Sequence, residues 1–332
     1  MFEQLWPLAA TPISGHPAWL WCAFLAFVAA LLVFDLRVLH RHDHVESARE
    51  SLLLTALYVA IALAFGAGVW HFMGAEAGLL YVTAYLVEES LSIDNVFVMS
   101  TIFAAFAIPR QYQHRVLFWG IVGVVAMRGV MILIGAAMIA KFEWILYLFG
   151  AFLVFTGVKM ALSHGQNPEQ PEQSRLVRVV RKVMPITREF HGHAFFARVK
   201  TARGLRLMAT PLLPALIVIE TADLVFALDS IPAVLSITTD TFIVFTSNIF
   251  AILGLRALYS VLAVMVGRFR YLHYGLAGVL VFIGGKIFWA ELVGHVPPAL
   301  SLGVTVVLLG GAIALSLVRK PAAIGREAEA RD

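Results

Sequence analysis

The chain reads Tyr85-Leu-Val-Glu88-Glu89-Ser-Leu-Ser-Ile-Asp94-Asn95-Val-Phe-Val-Met99 in the middle of one long apolar segment. A second apolar segment reads Ile217-Val-Ile-Glu220-Thr-Ala-Asp223-Leu-Val-Phe-Ala-Leu-Asp229-Ser230-Ile-Pro232-Ala-Val. An ionised carboxylate at the centre of a membrane-spanning helix costs about 3 kcal/mol even on the lenient insertion scale. Carboxylates concentrated at this depth need compensating partners, and a bound cation would compensate several of them at once.

The composition indicates a membrane protein. Of the 332 residues, 60% are hydrophobic and only 14% are charged, whereas soluble domains average about 45–50% apolar and about 25% charged residues. The single cysteine, Cys22, excludes an internal disulfide framework and a metal site built from several cysteines. Because the sequence has neither a phosphate-binding loop nor a Ser/His/Asp arrangement, we expect neither an enzyme nor an ATP-driven pump.

The hydropathy pattern predicts an all-α, polytopic membrane protein with about nine transmembrane helices. Each apolar block is roughly 20 residues long, which suffices to cross about 30 Å of hydrocarbon. The predicted spans are residues 18–39, 50–71, 79–107, 116–140, 143–162, 209–236, 242–264, 271–292 and 298–318.

These spans group into five units along the chain. The units are two N-terminal helices (1–72), a first repeat of spans three to five (79–162), a basic loop (163–208), a second repeat of spans six to eight (209–292), and a last span with a tail (298–332). Within the basic loop, the spacing of the cations from Arg175 to Lys182 predicts a short amphipathic helix on the membrane surface.

The distribution of cations predicts the orientation. Twenty of the 25 lysine and arginine residues fall on one side of the membrane if the N-terminus lies outside. The positive-inside rule therefore predicts that the N-terminus lies outside and the C-terminus in the cytoplasm. The sequence pI of about 9.3 then reflects membrane topology, so the expected partner is the lipid bilayer and not a nucleic acid. The sequence does not indicate a protein partner.

Spans three to five resemble spans six to eight at a nearly constant offset. The matching positions are Phe152–Lys159 with Val279–Lys286, Arg128 with Arg256, and the segment beginning at Asp94 with that beginning at Asp223. Since each unit has an odd number of spans, the second copy would be inverted, as in many secondary transporters. A second register stays open, because Glu88 and Asp94 are six residues apart and so are Asp223 and Asp229.

The polar residue types in the two acidic segments favour a hard cation. Carboxylate, amide and hydroxyl oxygens suit Mg²⁺, Ca²⁺ or Mn²⁺. When no metal is bound, neighbouring carboxylates repel one another and take up protons, which gives a route to exchange of metal for protons. Ser230 and Pro232 further suggest that both acidic helices are broken near the middle of the membrane.

Two interpretations of the acids remain open. They could bind a transported cation, or they could form structural ion pairs with Arg128, Arg256, Lys159 or Lys286. Arg128 and Arg256 are otherwise candidates for charge balance or gating. The candidates for supporting ligands or a pathway are Asn95, Ser230, Glu220 and Asn248, although Asn248 fits a helix–helix hydrogen bond equally well.

Three stretches resemble the signature segments of the TerC family of bacterial integral membrane proteins. They are Glu88-Glu-Ser-Leu-Ser-Ile-Asp94-Asn95-Val-Phe-Val, Phe226-Ala-Leu-Asp229-Ser-Ile-Pro-Ala-Val and Thr246-Ser-Asn-Ile-Phe-Ala-Ile-Leu-Gly-Leu-Arg256. The similarity extends from about residue 20 to residue 320. The family was first linked to tellurium resistance, and its members are associated with manganese efflux.

The resemblance implies metal-binding roles for four acids, Glu88, Asp94, Asp223 and Asp229. It implies a bacterial inner-membrane protein that exports a divalent cation, with Mn²⁺ as the first candidate. Protons are the exchange partner expected from the carboxylate chemistry, and we expect no resident cofactor. Uptake on the same fold stays open, because the sequence predicts orientation and not the direction of flux. The alternative is a non-transporting membrane scaffold, or a tellurium-resistance or stress protein that acts through partners.

Overall fold

A computed structural model describes residues 12–34, 48–142, 144–162, 186–187, 190, 192–201, 204–265, 271–294 and 296–318. These residues are almost entirely helical. The helices are α1 (Ala18–Phe34), α2 (Ala48–Met73), α3 (Ala75–Ala105), α4 (Arg110–Lys141), α5 (Trp144–Leu162), α6 (Leu212–Leu235), α7 (Thr241–Met265), α8 (Leu272–Leu292) and α9 (Pro298–Val318). Long apolar runs form helices here because a helix satisfies its own backbone hydrogen bonds, as a lipid environment requires.

Five of these helices are long and apolar enough to cross a membrane, which identifies a multi-pass membrane protein. They are α2, α4, α5, α8 and α9. Among the other helices, α3 and α6 carry the acidic segments of the sequence, whereas α1 and the described start of α7 are shorter apolar helices.

The two acidic helices are enclosed by other helices. Helix α3 packs against α2, α6, α7 and α9, and α6 packs against α3, α4 and α5. The most extensive contacts pair α5 with α8, α3 with α7, and α6 with α4. Enclosure keeps the acidic faces out of contact with lipid. Ionisable residues in membrane helices are normally found on such enclosed faces.

The prediction that both acidic helices break near mid-membrane is wrong. Helix α3 continues without interruption from Ala75 to Ala105, and α6 continues from Leu212 to Leu235. Pro232 lies in the last turn of α6, beyond the acids, so its missing N–H affects only the end of the helix. There the hydroxyl of Ser236 donates to the Pro232 carbonyl at 2.6 Å, which helps to terminate the helix.

Two β-hairpins connect to the helices. Strands β1 (Pro12–Ile13) and β2 (His16–Pro17) pair before α1, and β3 (Phe196–Thr201) and β4 (Gly204–Ala209) pair antiparallel directly before α6. The second hairpin lies in the basic loop, where no strand was predicted. The amphipathic helix predicted between Arg175 and Lys182 lies outside the described residues.

Helices α5 and α8 approach closely through small residues. A Cβ on Gly284 would lie 2.5 Å from the Gly150 carbonyl oxygen, and a Cβ on Gly157 would lie 2.8 Å from the Ala277 carbonyl oxygen. The contact position advances along one helix as it recedes along the other, so the two helices run antiparallel. Glycine is needed here because backbone meets backbone without room for a side chain.

Adjacent glycines on α8 provide a test of this interface. We expect Gly284→Ala to destabilise the protein by about 1–3 kcal/mol through overpacking. By contrast, nothing lies within 4 Å of a Cβ on Gly285, so Gly285→Ala should be neutral or stabilising by up to about 1 kcal/mol, because alanine favours a helix. Thermal unfolding of both variants in detergent measures the difference. Equal midpoints would contradict the close packing.

Candidate cation site

Arg128 of α4 is at the centre of a buried polar cluster. Only 1% of its surface is exposed. Its Nε donates to Asp223 Oδ2 at 3.0 Å, and its Nη2 donates to Asp223 Oδ1 at 2.9 Å. This two-point geometry matches the planar guanidinium to the carboxylate and is the strongest form of such an ion pair.

The same guanidinium also contacts α3, α7 and a second position on α6. Its Nη1 donates to Glu88 Oε1 and lies 3.3 Å from both Ser230 Oγ and Asn248 Oδ1. Arg128 therefore joins side chains from α3, α6 and α7 to α4. The two segments with which the sequence analysis began meet at this cluster.

Helical spacing explains which polar residues meet. Glu88, Ser92 and Asn95 occupy positions i, i+4 and i+7 of α3, so they lie on one face of that helix. Asp223 and Ser230 have the same i, i+7 relation on α6. Asn95 Nδ2 lies 3.5 Å from Asp223 Oδ1, so the two polar faces meet directly.

Several buried polar atoms of the cluster have no hydrogen-bond partner among the described residues. They are Glu88 Oε2, Ser92 Oγ, Asn95 Oδ1 and Asn248 Nδ2. A buried polar group without a partner costs about 1–3 kcal/mol, so each of these atoms calls for an explanation. Three of the four are oxygens, which are the ligand type that hard divalent cations prefer.

Glu220 lies one helical turn before Asp223 on α6 and contacts α4. A Cβ on Gly123 would lie 2.2 Å from Glu220 Oε1, so the carboxylate occupies the space that glycine leaves open. Its Oε2 is buried without a hydrogen-bond partner among the described residues. The sequence analysis named Glu220 but did not identify Gly123, because a glycine within an apolar helix carries no signal about its neighbour.

Other predicted site residues lie elsewhere or outside the description. Asp229 is half-buried and is not among the residues that Arg128 bonds. The cation that acts on Asp229 is Lys159. The side chains of Asp94 and Arg256 are outside the described part of the chain, so their predicted roles stay predictions. Among the described residues, no three His, Cys, Asp or Glu side chains lie close enough together to hold a metal ion.

A cleft reaches the cluster from one side. Its volume is about 10 Å³, which is about enough for one water molecule, and Asp223 is its only acidic lining residue. The other lining residues are apolar or glycine and come from α3, α4, α6 and α7, for example Met99, Leu117, Ile219 and Leu255. All four positions lie toward the end of the bundle where α4 and α6 begin and where α3 and α7 end.

Aromatic side chains pack on the opposite side of the cluster. Phe24, Phe65, Phe242, Phe245 and Phe250 form a group with ring centroids 5.0–6.4 Å apart. Phe242 and Phe245 precede Asn248 on α7, whereas Phe250 and the residues of α7 that line the cleft follow it. The cleft therefore approaches the polar cluster from one side, and most of the aromatic group lies toward the other end of the bundle.

Comparison with known proteins agrees with this architecture. The profile described as "Integral membrane protein TerC family" matches residues 73–323. The chain belongs to the TerC family. An uncharacterized membrane protein of Myxococcus xanthus is 50% identical over 319 residues, which cover 96% of this chain and 98% of that protein. An uncharacterized membrane protein of Rickettsia bellii is 46% identical over 301 residues, which cover 90% and 97% of the two chains.

One TerC relative has a name that suggests a role. A protein of Escherichia coli, provisionally named membrane-bound redox modulator Alx, is 43% identical over 294 residues, which cover 86% of this chain and 90% of that protein. No solved structure matches this chain. The family resemblance seen in the sequence is thus confirmed.

Two acids on α6 provide a matched test of the cluster. Asp223→Asn should lower the free energy of unfolding by about 3 kcal/mol, because it breaks a buried, hydrogen-bonded ion pair. Asp229→Asn should lower it by less than about 1 kcal/mol, because the half-buried Asp229 is outside the cluster of residues that Arg128 bonds. Denaturant or thermal unfolding in detergent measures both variants. Similar losses would mean that the Arg128–Asp223 pair does not hold α4 to α6.

Proposed function

We propose that this protein is a secondary transporter that exports a divalent metal cation in exchange for protons. The first candidate for the cation is Mn²⁺. The observation that carries the proposal is the buried cluster where carboxylates of α3 and α6 meet unpartnered amide and hydroxyl oxygens. A purely structural ion pair needs no such surplus of oxygen atoms. We propose a carrier and not an enzyme, with the metal as cargo and no resident cofactor.

Glu88 and Asp223 are the acids we assign to the metal, with Asn95 and Ser92 as supporting oxygen ligands. Their hard oxygen chemistry suits Mn²⁺, Mg²⁺ and Ca²⁺ alike, and Mn²⁺ is named because of the association of TerC proteins with manganese. Asp94, whose side chain lies outside the described part of the chain, stays a predicted ligand. Asp229 also stays a predicted ligand, which a different conformation would have to bring in.

We further propose nine transmembrane spans containing two inverted repeats. Reciprocal contacts between α5 and α8 support this arrangement. At an offset of 127 residues, Gly150 corresponds to Ala277 and Gly157 to Gly284; Gly157 contacts Ala277 while Gly284 contacts Gly150. Such exchange of partners is what a twofold axis between two copies of one surface produces.

The other helix contacts fit the same axis. The pair α3–α7 corresponds to α6–α4, and both pairs are among the most extensive contacts of the bundle. In the repeat alignment Asp94 corresponds to Asp223, and Asn95, the residue next to Asp94, meets Asp223. Neighbours of equivalent positions that meet lie near the axis, so the proposed metal site would be near the axis, as in other inverted-repeat transporters.

The proposed orientation gives the cleft a direction. Arg110 and Arg115 begin α4, and Arg198 and Arg206 lie on the hairpin before α6. These cations are at the end of the bundle toward which the cleft leads. With the positive-inside rule, that end faces the cytoplasm of a bacterial inner-membrane protein, with the N-terminus outside. Access from the cytoplasm suits an exporter.

Cysteine labelling tests the orientation. In a Cys22→Ser background, Ala75→Cys should react with a membrane-impermeant maleimide on intact cells, because the start of α3 would face outside. Gln111→Cys, at the start of α4, should react only after permeabilisation. Both positions are exposed, so access to the reagent is decided by the membrane. The reverse pattern would overturn the orientation.

Transport in liposomes tests the function. We expect Mn²⁺ flux through the wild type, with a dependence on the pH gradient, and compare it with Ca²⁺, Mg²⁺ and Zn²⁺. Glu88→Gln and Asp223→Asn should each reduce Mn²⁺ flux by about tenfold or more, because each removes a charged ligand. Asp240→Asn is the control, because Asp240 bonds His16 and the start of α7 outside the cluster. A wild type that moves none of these ions would exclude the proposal.

A further inference from the structure

Arg128 lies where the proposed cargo would bind, and this is the unexplained feature of the site. Its guanidinium contacts Glu88, Asp223, Ser230 and Asn248, all of which the sequence analysis had named as metal ligands or supporting residues. We propose that Arg128 is a tethered substitute for the transported cation, which neutralises the site when it is empty and is displaced when the metal binds. This inference rests on the proposed function.

Competition follows from electrostatics. Two ionised carboxylates and one guanidinium leave the cluster with a single negative charge, whereas two carboxylates and one divalent cation are neutral. A guanidinium and a divalent cation in contact with the same carboxylates would repel each other strongly in a medium of low dielectric constant. The two cations therefore bind in alternation, and either one prevents the carboxylates from being left buried and unpaired.

The structure offers the displaced side chain a direction in which to move. Side chains on a helix point toward its N-terminus, and for Arg128 that direction leads along α4 toward Gly123 and the cleft. The carboxylate of Glu220 lies three residues before Asp223 on α6, about 4.5 Å along the same helix face, and the long arginine side chain can pass from one to the other. Glu220 lies against Gly123, and its buried Oε2 has no hydrogen-bond partner among the described residues. That carboxylate can receive the displaced guanidinium.

The substitution has a consequence for the transport cycle. A carrier that performs net transport must return across the membrane without its cargo, and two unpaired carboxylates would oppose this step. With Arg128 in the site, the empty carrier keeps one compensating cation, and the exchanged protons have only one remaining negative charge to neutralise. Without Arg128, the exchanged protons would have to neutralise both carboxylates, so the empty form would reorient less easily than the metal-loaded form. The carrier would then exchange one bound metal ion for another more readily than it performs net transport.

The test compares wild type with Arg128→Gln in three measurements. Mn²⁺ binding to protein in nanodiscs is measured by electron paramagnetic resonance of the free ion. Net Mn²⁺ flux into metal-free liposomes is measured next, and then exchange of radioactive for unlabelled Mn²⁺ across liposomes. We expect Arg128→Gln to bind Mn²⁺ about tenfold more tightly or better, because a competing charge is gone, to lose about tenfold or more of the net flux, and to retain exchange.

A structural role for Arg128 predicts different results. Mn²⁺ affinity that is equal or weaker in folded Arg128→Gln would overturn the inference, and so would unchanged net flux. The unfolding temperature provides a further measurement, and a purely structural role would leave its response to Mn²⁺ unchanged. Mn²⁺ should raise the unfolding temperature of Arg128→Gln more than that of wild type, because the ion replaces the missing charge.

Arg128→Lys keeps the test decisive if the glutamine variant does not fold. Lysine keeps the charge but lacks the planar fork that binds a carboxylate at two points. It should compete less well, so Mn²⁺ affinity should rise by about threefold and net flux should slow without stopping. Unchanged or weaker Mn²⁺ binding would overturn the inference. Failure of the proposed function is distinguishable, because the wild type itself would then neither bind nor move a divalent ion.

Discussion

The ion pair of Arg128 with Asp223 and Glu88 is the interaction on which the centre of this membrane protein depends. Each of these charges alone would be costly at the depth of the hydrocarbon, and together they are tolerable because the guanidinium bonds both carboxylates. Since the three residues belong to α4, α6 and α3, satisfying their charges also brings these helices together. The chemistry of the site and the packing of the bundle therefore have the same cause.

The surroundings of this ion pair are asymmetric. An apolar cleft approaches Asp223 from one end of the bundle, and packed phenylalanine rings of α1, α2 and α7 lie toward the other end. In the proposed transporter, this aromatic group would be the barrier that rearranges for release. Because closely packed interfaces switch between discrete arrangements, the glycine contacts of α5 with α8 are a natural place for the two proposed repeats to move against each other.

The sequence analysis left two interpretations of the acids open, cation binding and structural pairing with arginine. The structure shows the pairing, since Glu88 and Asp223 both bond Arg128. Cation binding stays a prediction, which the neighbouring oxygens without partners among the described residues support. The predicted helix breaks were wrong because Pro232 lies too near the end of α6 to interrupt it. The six-residue spacing of Asp223 and Asp229 already indicated different helix faces, about 120° apart, and Asp229 is only half-buried.

The sequence by itself determined that this is a multi-pass membrane protein of the TerC family, and it identified the two acidic helices. Long apolar runs in lipid must form helices, and the acids within two of these runs are visible in the sequence itself. It also named Arg128, Ser230 and Asn248 as residues near the site. Only the tertiary structure decided that Arg128 bonds both Glu88 and Asp223, that Gly123 makes room for Glu220, and that Asp229 stands apart. These facts depend on which faces of distant helices meet, and an apolar sequence does not encode that in any local pattern.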